Sequence, residues 1–295
     1  MGARTVKSMK LKQSTALDPE AMARVVREAL AEDVGDGDLT TNALFAAEAR
    51  CRARMLVKEP GVVCGLSVAE AVFRALDADV RFEEVVPEGH HLRQSDPMAG
   101  EVAVVEGSAR AVLSGERTAL NLLGRLSGVA TMARAFVDAV AGTDAVILDT
   151  RKTTPGLRAL EKYATSVGGA TNHRQGLHDG ILVKDNHLRL TGEVTTAVEA
   201  LRHVAGDHRV EIEVETLEDV GAALDAGADA LLLDNMSPAV MRQAVALTAS
   251  RATLEASGGV SLANVRAVAE TGVDFISVGA ITHAARSLDV SLEVL

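Results

Sequence analysis

The chain has 295 residues, of which 47% are hydrophobic and 24% are charged, a composition that supports a globular protein with one large core or two smaller ones. Its formal net charge of −11 disfavours a nucleic-acid-binding surface or a surface for anionic membranes. No apolar run reaches the roughly 20 residues that cross a bilayer, and Cys51 and Cys64 fit no zinc or disulfide pattern, which predicts free thiols in a reducing cytoplasm.

The N-terminal region reads as a leader followed by mixed α and β structure. Residues 1–16 are basic but have no long apolar core, so we expect a flexible leader rather than a secretion signal. Asp18 and Pro19 are favoured at a helix N-cap and first position, and they predict a helix over 18–31. The other predictions for this region are a Gly/Asp loop at 32–41, two strands at 49–65 joined around Pro60-Gly61, a helix at 67–78 and short strands within 80–106.

The pattern changes near residue 114. Residues 114–140 are strongly helical, and this helix is predicted to begin at Ser114. Beyond it, short apolar runs alternate with helices and carry polar residues at their ends. The runs are AVILDT (145–150), GILVKD (180–185), VEIEVE (210–215), ALLLDN (230–235), ATLEAS (252–257) and FISVG (275–279). The intervening helices are predicted at 156–166, 192–205, 216–226, 237–249 and 261–271, with C-caps at Gly206, Gly227 and Gly272.

Successive strand–helix units of this kind predict a parallel sheet that is buried on both faces. Because nearly every run ends in a polar residue, as the active-site face of a barrel requires, we favour closure into an α/β barrel. The stretch is short for eight units, so the barrel is expected to be incomplete, with fewer than eight strands. An open doubly wound sheet is the alternative, weakened by the lack of a G-x-G-x-x-G after the first strand.

Five basic residues lie at the ends of the first two apolar runs or in the segment TNHRQG (171–176) between them. They are Arg151, Lys152, His173, Arg174 and Lys184. If the strands lie side by side, these side chains converge at one end of the barrel. Burying each cation there without a partner costs on the order of several kcal/mol. Such a concentration in an acidic chain predicts a pocket for multivalent anions.

Two carboxylates end later strands of the same sheet. Glu213 and Asp234 are suited to Mg²⁺ or to sugar hydroxyls. Solvated strand ends, or partners for the nearby cations, are the simpler interpretation of the same two residues.

A phosphate site is predicted at the last two strands. Ser257, Gly258 and Gly259 follow one strand, and Gly279 and Ala280 end the next. Adjacent glycine loops beside a helix N-terminus form the usual phosphate cradle of α/β barrels, because their backbone N–H groups are accessible.

Lys184 also fits a different chemistry. A lysine at a barrel strand end can form a Schiff base with a carbonyl substrate, as in an aldolase. The surrounding arginines count against this interpretation, since a Schiff-base lysine usually has apolar neighbours.

Eight segments resemble the quinolinate phosphoribosyltransferases, the type II phosphoribosyltransferases of NAD synthesis. The resemblance covers residues 32 to 292 with the motifs in the family's order, and a small departure is Ala284, where a serine is common. The segments are EDVGDGDLTT (32–41), GERTALNLLGRLSGVAT (115–131), DTRKTTPGLRALEKYA (149–164), GGATNHRQGLHDGILVKDNH (168–187), EIEVET (211–216), LLLDNMSP (231–238), LEASGGV (254–260) and VGAITHAARSLDVSL (278–292).

The resemblance implies a role for each candidate residue. In the family, residues matching Arg151, His173, Arg174 and Lys184 line the quinolinate site, and Lys152 falls near the phosphates of phosphoribosyl pyrophosphate. The residues that match Glu213 and Asp234 face the ribose hydroxyls. They also face Mg²⁺, either as direct ligands or indirectly. The match to Ser257, Gly258, Gly259, Gly279 and Ala280 binds the 5′-phosphate. No organic cofactor is implied.

The resemblance also implies the architecture and the assembly. An N-terminal α/β sandwich is expected over 1–124, joined by the tail 285–295, and the barrel is expected over 125–284. The family's match to Arg117 crosses a dimer interface, so a homodimer is the minimum and a hexamer the larger alternative.

Three alternative functions are also compatible with the sequence. Nicotinate or another aromatic acid could replace quinolinate, as in a related type II enzyme or a molybdenum-linked paralogue. A catalytically silent barrel that senses phosphorylated metabolites is a second rival, and the aldolase is the third.

Overall fold

A computed structural model describes residues 16–93, 100–206 and 208–295. The predicted leader lies outside these ranges except for its last residue. Within the described ranges, none of the helices combines the length and the apolar character needed to cross a membrane. The described chain forms two compact units.

The first unit, here called the antiparallel unit, holds the described residues up to Arg134 together with Thr153–Gly169 and Ile281–Leu295. The second, the parallel unit, holds Ala135–Lys152 and Ala170–Ala280. The predicted domain bounds, 1–124 with 285–295 and then 125–284, stay a prediction.

The elements are numbered along the chain. The strands are β1 (Arg50–Val57), β2 (Gly61–Val62), β3 (Arg81–Glu84), β4 (His91–Leu92), β5 (Glu101–Ser108), β6 (Val146–Leu148), β7 (Ile181–Val183), β8 (Val210–Val214), β9 (Ala230–Asp234), β10 (Thr253–Ser257), β11 (Phe275–Ser277) and β12 (Val290–Val294). The helices are α1 (Pro19–Asp33), α2 (Leu39–Leu44), α3 (Leu66–Leu76), α4 (Ala109–Ala139), α5 (Arg158–Val167), α6 (Asp185–Thr191), α7 (Val194–Arg202), α8 (Leu217–Ala226), α9 (Pro238–Thr248), α10 (Val265–Ala269) and α11 (Ala280–His283).

The antiparallel unit contains a four-stranded sheet in the order β12-β1-β5-β3 and a separate β2-β4 pair. The two strands predicted around Pro60-Gly61 both exist, but they do not pair with each other. Instead β1 pairs with β5 and β12, and β2 pairs with β4. The strands could be identified from the sequence, whereas their partners lie in segments that are distant along the chain.

Helix termini follow local chemistry at the start of the chain. The Asp18 side chain accepts a hydrogen bond from the backbone of Glu20 and caps α1 as predicted, with Pro19 in the first turn. Asp38 caps α2 in the same way through Thr41, so the predicted loop at 32–41 ends in a short helix.

The prediction that a helix begins at Ser114 was wrong, because α4 begins at Ala109, directly after β5. Ser114 lies inside the helix, where its hydroxyl donates to the Asp38 carboxylate at 3.1 Å rather than capping. Arg117 therefore lies beyond the first turn of α4.

A buried ion pair ties together three segments of the antiparallel unit. The Glu161 carboxylate in α5 is fully buried and accepts from Arg125 of α4 at 2.7 and 3.0 Å. It also accepts from the backbone and the hydroxyl of Thr154 at 2.9 and 2.7 Å. Nη2 of Arg125, one of the two nitrogens that bind Glu161, also donates to the Thr282 carbonyl, and Nη1 donates to the Ala285 carbonyl. Saturating both partners offsets the cost of burying them.

All six apolar runs form strands of one parallel sheet in the order β6-β11-β10-β9-β8-β7. Within this sheet, the strand that comes first along the chain, β6, pairs with the one that comes last, β11, as a barrel requires. The intervening strands follow one another without the order reversal of a doubly wound sheet. A bridge joins Leu148 to Thr171, and no ladder between β6 and β7 is present in the described residues. The prediction of an α/β fold with an incomplete barrel is confirmed.

The helices of the parallel unit depart from prediction at three places. The segment at 185–191 forms α6, which the sequence analysis did not predict. The helix expected at 261–271 is reduced to α10, which begins at Val265. Of the three predicted glycine C-caps, Gly227 caps α8 with φ of 85°, whereas Gly206 and Gly272 lie beyond the caps of α7 and α10 with φ of 55° and 92°.

Candidate active site

The carboxyl ends of the parallel strands bring most of the predicted site residues into one unit. The predicted site residues that belong to the parallel unit are Arg151, Lys152, His173, Arg174, Lys184, Glu213, Asp234, Ser257, Gly258, Gly259, Gly279 and Ala280. Arg117 belongs to α4 in the antiparallel unit, where its side chain is 63% exposed and lies 4.0 Å from Glu116.

Asp149 organises the segment that follows the Leu148–Thr171 bridge. Its carboxylate is fully buried and accepts from the Asn172 amide at 2.7 Å and from the His173 backbone N–H at 2.8 Å. The segment that carries His173 and Arg174 is thereby fixed beside β6. Asp149 was not among the predicted site residues. A signal was present in the sequence, because a carboxylate at the end of a buried strand needs hydrogen-bond partners.

Two arginines, Arg151 and Arg174, follow the paired residues Leu148 and Thr171 at this end of the sheet. Arg174 is half-buried and donates to the carbonyl of Gly180 at 2.9 Å. Burial lowers the pKa of Arg174, and the positive charge of Arg151 lowers that pKa further. Placing Arg174 where burial and a second positive charge both disfavour its own charge indicates a site that is completed by an anion.

Lys184 and Glu213 form a mixed pair on neighbouring strands. The Lys184 ammonium lies 3.5 Å from the Glu213 carboxylate, which is nearly buried, while the lysine side chain is 49% exposed. The backbone N–H of Asp185 also donates to Glu213 at 3.3 Å. A partly solvated lysine with a carboxylate neighbour lacks the apolar surroundings that a Schiff-base lysine needs.

Asp234 and the loop after β10 are joined through Asn235. Asp234 aligns with Ser257 in the parallel register, and the Asn235 amide donates to the Asp234 carboxylate at 2.7 Å. The Asn235 backbone N–H donates to the Ser257 carbonyl at 2.9 Å. The strand-end carboxylate and the glycine loop are therefore held by one residue that the sequence analysis did not select.

The loop after β10 requires its glycines. Gly258 and Gly259 have φ of 87° and 61°, in the left-handed region. A Cβ at Gly258 would overlap the Asn235 side chain. Backbone N–H groups in such a loop can approach a ligand closely, since no side chain intervenes.

His173 lies between two buried glutamates that the sequence analysis left out of the site. Its Nε2 is 3.5 Å from Glu211 and 3.4 Å from Glu255. Burial raises the pKa of Glu211, and the charge of Glu255 raises it further. One signal was available in the sequence: Glu211 stands between two apolar residues of a strand that reads as buried on both faces, where a charge needs a partner.

Both the fold and this set of strand-end groups are typical of enzymes that bind anions at the carboxyl edge of an α/β barrel. The family model "Quinolinate phosphoribosyl transferase, N-terminal domain" matches residues 38–127, and the model for the C-terminal domain of the same family matches residues 129–293. The chain belongs to the quinolinate phosphoribosyl transferase family.

Individual relatives agree with this assignment. The chain is 42% identical to the Mycobacterium leprae nicotinate-nucleotide pyrophosphorylase (carboxylating), over 93% of this chain and 98% of that protein. It is also 42% identical to a Bacillus subtilis protein named "Probable nicotinate-nucleotide pyrophosphorylase" (carboxylating), over 89% and 90% of the two chains. The solved structure of the Francisella tularensis nicotinate-nucleotide pyrophosphorylase matches with a TM-score of 0.90 at 36% identity, over 96% and 99% of the two chains.

Proposed function

We propose that this protein transfers the phosphoribosyl group of phosphoribosyl pyrophosphate to quinolinate with loss of CO₂, giving nicotinate mononucleotide and pyrophosphate for NAD biosynthesis. Family membership supports the reaction. The observation that carries it at the site is that Arg151 and Arg174 follow the paired residues Leu148 and Thr171 at the same end of the sheet, because the two carboxylates of a pyridine dicarboxylate can each accept hydrogen bonds from such a cation.

The proposed quinolinate site uses the cations at the ends of β6 and β7. A charged hydrogen bond to a carboxylate contributes about 1.5–3 kcal/mol. The planar guanidinium of arginine can also bind a carboxylate through two parallel hydrogen bonds, which the lysine ammonium cannot. Lys152, exposed directly after β6, is assigned to the departing pyrophosphate. The residues in this proposal are Arg151, Lys152, His173, Arg174 and Lys184, together with Arg117 from a second subunit.

Glu213 and Asp234 are proposed to face the ribose. They end neighbouring strands and offer carboxylate oxygens, the ligand type that Mg²⁺ prefers, and Mg²⁺ is commonly held by one or two carboxylates plus substrate phosphates. When bound with phosphoribosyl pyrophosphate, Mg²⁺ would neutralise charge on the leaving pyrophosphate. The residues that would hold it are Glu213 and Asp234, and we assign no organic cofactor.

The proposed 5′-phosphate site is the pair of loops after β10 and β11. Because α10 begins at Val265, well after the first loop, backbone N–H groups supply the binding rather than the end of that helix. The residues assigned to this site are Ser257, Gly258, Gly259, Gly279 and Ala280.

The reaction itself needs no covalent enzyme intermediate. The pyridine nitrogen attacks C1 of the sugar while the C1–O bond to pyrophosphate breaks with its electron pair, and positive charge develops on the sugar. Glu213 and Asp234 stabilise that charge, and Lys152 stabilises the leaving group. The carboxylate at ring position 2 then leaves as CO₂, because the pyridinium stabilises the remaining carbanion until it takes up a proton.

One assay tests the substrate. The protein is incubated with phosphoribosyl pyrophosphate, Mg²⁺ and either quinolinate or nicotinate, and CO₂ and mononucleotide are measured. We expect both products with quinolinate and neither with nicotinate. Mononucleotide formed from nicotinate without CO₂ would identify the related type II enzyme instead. Turnover of neither acid would favour a molybdenum-linked paralogue or the catalytically silent sensor.

Assembly and location complete the proposal. We assign a homodimer, with a hexamer as the larger alternative, so that Arg117 can serve a neighbouring subunit. Cytoplasmic location is supported by the two free cysteines, Cys51 and Cys64, of which the second is buried. Nucleic acid and membrane partners are not expected for a chain of net charge −11.

A further inference from the structure

The loop 174–180 leads to the start of β7 and carries Arg174 at its first position. Its tip lies in solvent, where Leu177 is 73% exposed and His178 is exposed as well. Burial of apolar side chains therefore contributes little to holding the tip, and the shape of the loop depends on its hydrogen bonds.

Two sets of hydrogen bonds run in opposite directions between the ends of this loop. The Asp179 carboxylate accepts from the backbone N–H of Gln175 at 2.8 Å and from that of Gly176 at 2.9 Å. In the other direction, Nη1 of Arg174 donates to the Gly180 carbonyl at 2.9 Å. Because Asp179 fixes how the loop closes, it also fixes where the Gly180 carbonyl meets the guanidinium.

The backbone of the loop also packs on the stem of the arginine. A Cβ at Gly180 would lie only 3.2 Å from the Cβ of Arg174 and 3.4 Å from its Cδ. Contacts this close mean that a shift of the loop backbone would move the arginine side chain with it.

Charge at Asp179 acts on the same arginine. Burial raises the pKa of Asp179, but the hydrogen bonds from the two backbone N–H groups outweigh burial, so that its pKa is lowered and the carboxylate stays ionised. Burial lowers the pKa of Arg174, and the charge of Arg151 lowers it further. The negative charges of Glu211 and Asp179 act in the opposite direction.

We propose that Asp179 is a positioning residue for substrate binding: its carboxylate fixes the loop 174–180, and the loop directs the Arg174 guanidinium at a substrate carboxylate. A guanidinium has five N–H donors, so a group held through Nη1 can still offer others to the substrate. A negative side chain would repel a dicarboxylate on direct contact, and the effect of Asp179 therefore passes through Arg174. This inference rests on the proposed function for the identity of the substrate.

The kinetic experiment compares Asp179→Ala with Asp229→Ala in the full-length protein. Asp229 is a matched control, because it is also partly buried and accepts from a backbone N–H, that of Val210 at 3.0 Å, but at the amino end of β9. We expect Asp179→Ala to raise KM for quinolinate at least about tenfold, with kcat and KM for phosphoribosyl pyrophosphate within about twofold of the parent. Asp229→Ala should leave all three constants within about twofold of the parent, and equal KM values for quinolinate in the two variants would overturn the proposal.

A double-mutant cycle asks whether Asp179 acts through Arg174. Asp179→Ala is added to Arg174→Lys, in which the guanidinium is already lost. We expect KM for quinolinate in the double variant to stay within about twofold of that in Arg174→Lys alone. If the losses of the two single variants multiply instead, Asp179 acts independently of Arg174 and the proposal is wrong.

Two measurements need no turnover, and the first also covers an Asp179→Ala variant that fails to fold. In the unmodified protein, the amides of Gln175 and Gly176 should exchange hydrogen more slowly than freely solvated amides, as measured by NMR. In a crystal structure of Asp179→Ala, the Arg174 guanidinium should have left the Gly180 carbonyl. Fast exchange at both amides, or a guanidinium that keeps its place, would refute the positioning role. If the unmodified protein converts no quinolinate, the proposed function fails, while these measurements still decide whether Asp179 sets the loop.

Discussion

At the carboxyl edge of the sheet, Arg174 lies in surroundings that disfavour its positive charge. Burial and the positive charge of Arg151 lower the pKa of Arg174, and one guanidinium N–H of Arg174 donates to the Gly180 carbonyl. Cations in this arrangement are stabilised when an anion bridges them. Substitutions that keep charge but change shape therefore test the site more sharply than deletions.

Replacing Arg174 with lysine keeps the positive charge and removes the planar guanidinium group. We expect kcat/KM for quinolinate to fall at least about tenfold, on the order of 1.4 kcal/mol, because lysine cannot bind a carboxylate in a bidentate manner. Steady-state kinetics measure this, with Arg242→Lys on the exposed face of α9 as the control. Kinetics of Arg174→Lys that match those of the control would remove Arg174 from the site.

Replacing Lys184 with alanine separates charge stabilisation from Schiff-base chemistry. We expect loss of most activity, since a cation beside Glu213 is removed from the proposed quinolinate site. Borohydride added to the unmodified protein during turnover should trap no adduct by mass spectrometry. A trapped adduct with a carbonyl substrate would favour the aldolase interpretation.

At the level of elements, glycines decide how closely the long helix can approach its neighbours. A Cβ at Gly128 of α4 would overlap the backbone carbonyl of Arg286 in the C-terminal tail, and one at Gly124 would crowd the carbonyl of Leu288. Because backbone atoms cannot rotate away as a flexible side chain can, the tail would have to shift. The fit of the tail against α4 therefore depends on the absence of side chains at these positions.

Gly128→Ala should lower the free energy of unfolding by about 1–3 kcal/mol, the usual cost of overpacking. Gly221→Ala is a matched control, since that helical glycine in α8 has open space around its Cβ position. The control should raise stability by roughly 0.5–1 kcal/mol through helix propensity alone. Denaturant titration compares the two, and equal effects would show that the tail does not constrain Gly128.

For the whole molecule, the open question is whether one chain supplies a complete site. Arg117 lies in the antiparallel unit with an exposed side chain, whereas the other proposed substrate residues lie in the parallel unit. An exposed arginine on a helix is an ordinary solvated residue unless a second chain gives it a ligand.

Complementation tests the assignment of Arg117 to a neighbouring subunit. Arg117→Ala and Lys184→Ala are co-expressed with different tags, and the mixed dimer is purified on both tags. If Arg117 acts across the dimer, one of the two sites regains every residue, so about half of the parent activity should return. A mixed dimer as inactive as either parent variant would place Arg117 in the site of its own chain or outside the site.

The organisation of the sheet could be predicted because its signals are local. Each apolar run from 145 onward became a strand, since buried parallel strands read as continuous apolar segments. Pairing was harder to predict: the strands on either side of Pro60 join different sheets, and α6 begins directly after β7, where only strand-end groups were expected. For the strands, partners distant in sequence decided the pairing, whereas the N-terminus of α6 is capped locally, where His187 accepts from the backbone N–H of Lys184.

The amino-acid sequence by itself determined the fold class, the edge of the sheet that carries the chemistry and the family to which the chain belongs. These follow from hydrophobic periodicity, from polar residues at the ends of buried strands and from motifs of fixed order. Only the tertiary structure decided that His173 faces Glu211 and Glu255, and that Asp149 and Asn235 hold the loops in place. Those partners come from strands far apart in the chain, and hydrogen-bond geometry, unlike periodicity, exists only once the strands are packed.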